Sequence, residues 1–222
     1  MFSFDSKAKE ILIYDVIGEG WDGSGASASA VSDALKTMGG KRVTVRINSP
    51  GGVADEGIAI YNTLKRYAGG VDTVIDSLAA SAASIIALAG DTRVSLTGSR
   101  WMIHRAMGLG IGNSADMRKL ADLLDIYDGS LADIYAGYME GMKKDAILSQ
   151  MGEETWFTAE KAVEIGLSTG QIEGETAQKP TNAAWFEHPP ADITETETVA
   201  RMKPTAVKRE IARLKLRLQG AK

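Results

Sequence analysis

Cysteine is absent from the 222 residues, which excludes disulfides, a thiolate nucleophile and any Cys-based zinc site. Histidine is nearly absent: with only His104 and His188, a multi-histidine metal centre has too few ligands. No run approaches the ~18 consecutive apolar residues of a membrane span. The apolar stretch Ile11–Ile17 is short and carries Asp15, so the N-terminus does not read as a signal peptide. Together these absences predict a cytoplasmic protein with no metal, no cofactor and no membrane anchor. Proline is scarce until the end. Pro50 stands alone in the first 170 residues, whereas Pro180, Pro189, Pro190 and Pro204 follow.

What is present describes a globular chain long enough for a full core, with 44% hydrophobic and 24% charged residues. Its net charge of −4 is unevenly spread: Arg201–Lys222 carries eight Lys and Arg against Glu210 alone. The pattern predicts strands at Glu10–Ile17, Arg42–Asn48, Val71–Ile75, Arg93–Leu96 and Trp101–Ile103. Helices are expected over Ala26–Met38, Val53–Tyr67, Ala82–Leu88, Ser114–Tyr138, Lys143–Met151 and Ala159–Ile165. In the long helix, Leu120, Leu123, Leu124, Tyr127 and Leu131 are spaced to point inward. Strands alternating with helices as far as residue 104 predict an α/β fold with a mostly parallel sheet. Residues 173–203, rich in Pro, Thr and Glu, read as a linker. Residues 204–222 read as a basic amphipathic helix, suited to a partner, to self-association or to nucleic acid. Trp21, Trp101, Trp156 and Trp185 read as packing residues, although the linker offers Trp185 no obvious core.

Three places carry chemistry. Ser81 lies where a buried strand turns into a helix, so its hydroxyl has rigid backbone beneath it and free N–H groups beside it. Ser49-Pro50-Gly51-Gly52 links a strand to a helix, and its two glycines leave backbone amides open to an approaching oxyanion. Gly52→Ala is accordingly expected to cost activity and spare the fold. No phosphate-loop spacing accompanies these glycines. His104 ends a strand and is the sole histidine within the globular part, hence the one available imidazole base for a serine nucleophile. The base needs an acidic orienter, and spacing leaves Asp91, Asp116, Glu153 and Glu154 all open.

INSPGG (Ile47–Gly52), AASA (Ala79–Ala82), MIH (Met102–His104) and WFTAEKAVEIGL (Trp156–Leu167) occur in an order and spacing that resemble the proteolytic subunit of the Clp protease, ClpP. Within that family the similarity points to phage-encoded head maturation (prohead) proteases. It covers roughly residues 8–172, which would form the peptidase domain (1–172). The resemblance implies a ClpP/crotonase-like superhelical βαβ core, a long interface helix and a homo-oligomeric, stacked ring. It implies Ser81 as nucleophile, His104 as general base, and Gly52 and Ala82 as oxyanion-hole donors. An ungapped match over Ala159–Leu167 places Glu154 where the family has an aspartate, with Glu153 as a rival. Implied partners are protein or peptide substrates, with capsid or scaffold precursors among them, and an ATP-dependent unfoldase. The implied location is the host cytoplasm or the prohead. Two alternatives stand beside this reading: a crotonase-type acyl-CoA enzyme, and a catalytically idle assembly protein.

Overall fold

The computed structural model describes residues 2–18, 25–172, 186–190 and 211–216. Its elements run β1 (Phe2–Asp5), β2 (Glu10–Ile13), α1 (Ala28–Thr37), β3 (Val43–Ser49), α2 (Ala54–Lys65), β4 (Val71–Ala80) and α3 (Ala82–Ala87). They continue as β5 (Thr92–Leu96), β6 (Arg100–Ile103), α4 (Ser114–Ala136), α5 (Lys144–Gly152), β7 (Thr155–Thr158), α6 (Ala159–Glu164) and β8 (Gly170–Ile172). The sheet order is β1-β2-β3-β4-β5-β8. β2 to β5 and β8 are parallel, and β1 is an antiparallel edge. This is the α/β, mostly parallel architecture that the strand–helix alternation predicts.

β4 organises the sheet. Its first half, Asp72–Ile75, pairs with β5, and its last three residues, Leu78–Ala80, pair with β6. β6 in turn pairs antiparallel with β7. Alternation alone ends this strand at Ile75, because Asp76 and Ser77 look like a break. The strand continues because Asp76 is neutralised from β3: Arg46 donates to it through Nε at 2.8 Å and through Nη2, and the Tyr14 hydroxyl donates to it as well. Arg46, which alternates with the apolar Val45 and Ile47, is nonetheless completely buried, since a sheet covered on both sides has no polar face. Removing one partner of such a pair strands the other charge in the core. Asp76→Ala is expected to cost about 3–5 kcal/mol, read from urea denaturation.

α4 departs from expectation. Leu131, Ala132 and Tyr135 are buried, but Leu123 is 47% exposed and Leu120, Leu124 and Tyr127 are only half-buried. The N-terminal half of the helix stands away from its own core. β1, β7 and β8, of four, four and three residues, are absent from the pattern-based reading. Trp101 is buried; Trp21 and Trp185 lie outside the described residues.

β8 closes the continuous part of the structure at Ile172. Of the predicted terminal helix, residues 211–216 are described and helical. Ile211 and Leu214 pack onto Val74, Val94, Leu96 and Ile172, and Lys215 donates to Asp72 at 2.8 Å. This turn therefore spends its apolar face on its own domain. The rest of 204–222 and most of 173–203 lie outside the described residues.

Candidate active site

Strand register brings the predicted residues to one edge. Ala80 is the register partner of Met102, and the Ser81 amide donates to the Met102 carbonyl at 3.0 Å. The two chains leave these paired strands together, one as Ser81 and the other as His104. Their side chains meet: His104 Nε2 lies 2.7 Å from Ser81 Oγ. Ile103 is paired with Thr155 across β6 and β7, so the next antiparallel position sets Glu154 beside His104. Ser81, His104 and Glu154 thus lie just off the ends of three adjacent strands, where ligands of parallel sheets bind.

Ser81 has φ 52° and ψ −128°, a left-handed conformation that costs a non-glycine residue energy and recurs at sharp strand-to-helix turns presenting a nucleophile. The turn is held by Ser84, whose hydroxyl lies 2.6 Å from the Ser81 carbonyl and 2.6 Å from the Tyr135 hydroxyl. Ala82 is the first residue of α3, where an amide lacks an intrahelical acceptor. Gly51 runs against Ser81; a Cβ there would sit 2.6 Å from Ser81 Cβ and 2.7 Å from the Ala80 carbonyl. Gly52 follows with φ 150°, and its amide donates to no acceptor among the described residues. Both free amides border the cleft that holds Ser81 and His104.

That cleft, of about 400 Å³, is apolar at its base, where Ile85, Leu124, Leu131 and Tyr135 line it. At its mouth the Tyr127 hydroxyl donates to both oxygens of Asp55, at 2.9 and 2.8 Å.

Burial holds the His104 imidazole below its ordinary range, and the charges of Glu154, Asp128 and Glu187 oppose that shift in descending order. The ring is therefore neutral at pH 7, the state that accepts a proton. Of the acids left open by spacing, Asp91 is committed to Arg42 and the Val71 amide, and Asp116 to the N-terminal cap of α4. Glu153 is an exposed helix C-terminus. Glu154 alone of the four acts on His104, yet its carboxylate makes no hydrogen bond to the ring. It accepts instead from Trp156 Nε1 at 3.1 Å, the Glu187 amide at 2.8 Å and the His188 amide at 2.7 Å. Asp128, which pattern reading passed over, is buried, accepts from the Ala106 amide at 2.7 Å and faces Arg105. Its position in the middle of a helix gave no signal. Among the described residues no cluster of His, Asp and Glu is arranged to hold a metal, and no helix is long and apolar enough to cross a membrane.

Comparison with known proteins gives one consistent answer. The Clp protease family model matches residues 26–173. An ATP-dependent Clp protease proteolytic subunit from Bacteroides fragilis is 34% identical over 130 residues, spanning 58% of this chain and 62% of that protein. Proteolytic subunit 1 from Protochlamydia amoebophila is 34% identical over 169 residues, covering 72% of this chain and 78% of its own length. The chain thus spans less than two thirds of the Bacteroides relative but more of the chlamydial one. Among solved structures, a point mutant of ClpP1 from Listeria monocytogenes superposes with a TM-score of 0.66 at 24% identity, over 76% of this chain and 94% of that one. That likeness establishes the fold. With the family model matching more than half of the chain and the chlamydial relative matched over more than two thirds of its length, the chain belongs to the Clp protease family.

Proposed function

We propose that the chain is a serine endopeptidase, and the 2.7 Å contact between Ser81 Oγ and His104 Nε2 at the rim of an apolar cleft carries the proposal. In this reading Ser81 Oγ attacks the scissile carbonyl as its proton passes to His104 Nε2. The amides of Gly52 and Ala82 hold the oxyanion. His104 returns the proton to the leaving amine as the C–N bond breaks, and water then releases the acyl group by the reverse relay. Each oxyanion donor supplies about 2.7–4 kcal/mol of transition-state stabilisation. A crotonase-type reaction would have no use for the serine–imidazole pair, and an idle scaffold would have no reason to keep Ser81 in a strained conformation.

Glu154 is the proposed third member, stabilising the imidazolium that forms. Its role has a pH signature. Turnover requires neutral His104, so kcat/KM falls as pH drops through the histidine pKa, which lies below the ordinary imidazole value of about 6.5. Glu154 favours the charged ring, while Asp128 and Glu187 are the other charges facing it. Glu154→Gln is therefore expected to lower turnover and to move the acid limb to still lower pH. Glu153→Gln should leave both unchanged. Equal effects of the two variants would reject the assignment.

The proposed assembly is a ring of copies of this chain. Met107, Leu109 and Ile111 are exposed, as are Leu123 and Ile126 of α4, and Gly108 and Gly110 seat this loop against Leu120 and Leu124 of the same helix. Exposed apolar side chains gathered on a helix and the loop packed on it mark an interface, and a second copy is its proposed occupant. Ile126→Asp is expected to shift the particle to smaller species in sedimentation velocity; an unchanged mass would place the interface elsewhere.

The proposed substrates are capsid or scaffold precursors, on the resemblance to the phage-encoded branch that INSPGG, AASA, MIH and WFTAEKAVEIGL carry together in their order and spacing. The work would then take place in host cytoplasm or prohead, with or without an unfoldase. Co-expression with such precursors tests this: the intact protein should shorten them and Ser81→Ala should not. Equal processing by both would reject the enzymatic reading.

A further inference from the structure

The chain beyond Ile172 returns to the active site. Phe186 stands edge-on to Trp156, with ring centroids 5.0 Å apart at 88°, and sits with it against Leu78, Ala80 and Met102. The next two residues turn their amides onto the Glu154 carboxylate, Glu187 to Oε2 and His188 to Oε1. Trp156 Nε1 gives Oε1 a second donor. Both carboxylate oxygens are thereby engaged, while His104 has Ser81 as its single hydrogen-bond partner among the described residues. Glu154 itself is held at φ 48°, a conformation that a non-glycine residue keeps only when its surroundings enforce it.

We propose that Phe186–His188 is a positioning element that docks in cis on the Glu154–Trp156 corner and withholds the Glu154 carboxylate from His104. The inference rests on the serine peptidase reading of the site. Two amides and an indole N–H compete with the imidazole Nδ1 for the same two oxygens, and they hold them in the docked arrangement. Tethering favours docking. Ile211, Leu214 and Lys215 fix the chain on the sheet downstream, and β8 fixes it upstream. The intervening segment therefore meets its seat at a high effective concentration, with no need of intrinsic affinity. Release of Phe186 from Trp156 frees Glu154 to orient the imidazole and stabilise its charged form. A substrate or partner whose aromatic side chain takes the Phe186 seat would produce the same release.

The test uses the full chain with Phe186→Ala, which empties the aromatic seat, and with His188→Pro, which deletes one of the two amides. The rate of fluorophosphonate labelling at Ser81 is measured beside hydrogen exchange at the Glu187 amide. Both variants should lose exchange protection at Glu187 and label Ser81 about tenfold faster, the gain expected where the docked form holds about 90% of molecules. That gain should vanish when Glu154→Gln is added. Labelling at an unchanged or slower rate, with the Glu187 amide exposed, overturns the proposal and leaves the peptidase reading intact. No adduct at Ser81 in the parent or either variant overturns both.

Discussion

Ser81→Ala is expected to abolish peptide hydrolysis, with kcat falling on the order of 10⁶-fold, and His104→Ala should fall nearly as far. A nucleophile and its base act as one unit, so losing either costs about as much as losing both. The expectation rests on position. The Ser81 hydroxyl is presented by a strained turn, and the only imidazole in reach lies 2.7 Å away, neutral because it is buried. Alanine at position 81 removes only an oxygen, and the Ser81 backbone is held by its bonds to Met102 and Ser84. Thermal stability should stay close to the parent's, since alanine keeps the Cβ and the same backbone bonds. Hydrolysis that survives in the alanine variant would mean that another group attacks the substrate.

Gly52→Ala is the second large effect, and it combines two losses. The residue adopts φ 150°, and a Cβ there would lie 2.2 Å from the Ile17 carbonyl oxygen and 2.8 Å from the Ile17 nitrogen. That carbonyl accepts the Val53 amide at 2.9 Å, and the Ile17 amide donates to Gly51 at 2.8 Å. Methylation at Gly52 therefore pushes apart the contact that joins the end of the β2 segment to the turn after β3. We expect activity to drop by at least about 10²-fold from the displaced oxyanion donor. We also expect a stability loss of roughly 1–3 kcal/mol from the forced conformation, seen as a lower Tm. The glycine pair alone suggested loss of activity with the fold spared. Sequence could not reveal Ile17 behind it, because the approach is made by backbone from a loop thirty-five residues earlier. Full stability in the variant would show that the turn can move aside at no cost.

The same distinction separates what could be read in the sequence from what could not. Alternation and helical spacing gave the α/β order, and the turn of β4 into α3 gave Ser81. The lone globular histidine gave His104. Each of these is a local signal, carried by neighbours along the chain. The ungapped family match puts Glu154 at the acid position with Glu153 as a rival, whereas the nearness of residue 154 to His104 comes from the β6–β7 pairing, which pattern reading did not supply. Burial of Arg46 needed knowledge that β3 is covered on both faces and that Asp76 awaits on the next strand. Leu123 and Ile126 have helical spacing suited to a core, yet they face outward, because periodicity reports an apolar face and not what covers it. The tail was the least legible. Nothing in a Pro- and Glu-rich segment indicates that Phe186 would find Trp156, and the two amides that follow are backbone groups common to every sequence.

The central claim is that Ser81 is a nucleophile made reactive by His104. Fluorophosphonate treatment followed by peptide mass mapping tests it most directly. One adduct per chain is expected, on Ser81, formed in the parent protein and lost in His104→Ala. An adduct on a different residue, or labelling of Ser81 that proceeds equally well without His104, would contradict it.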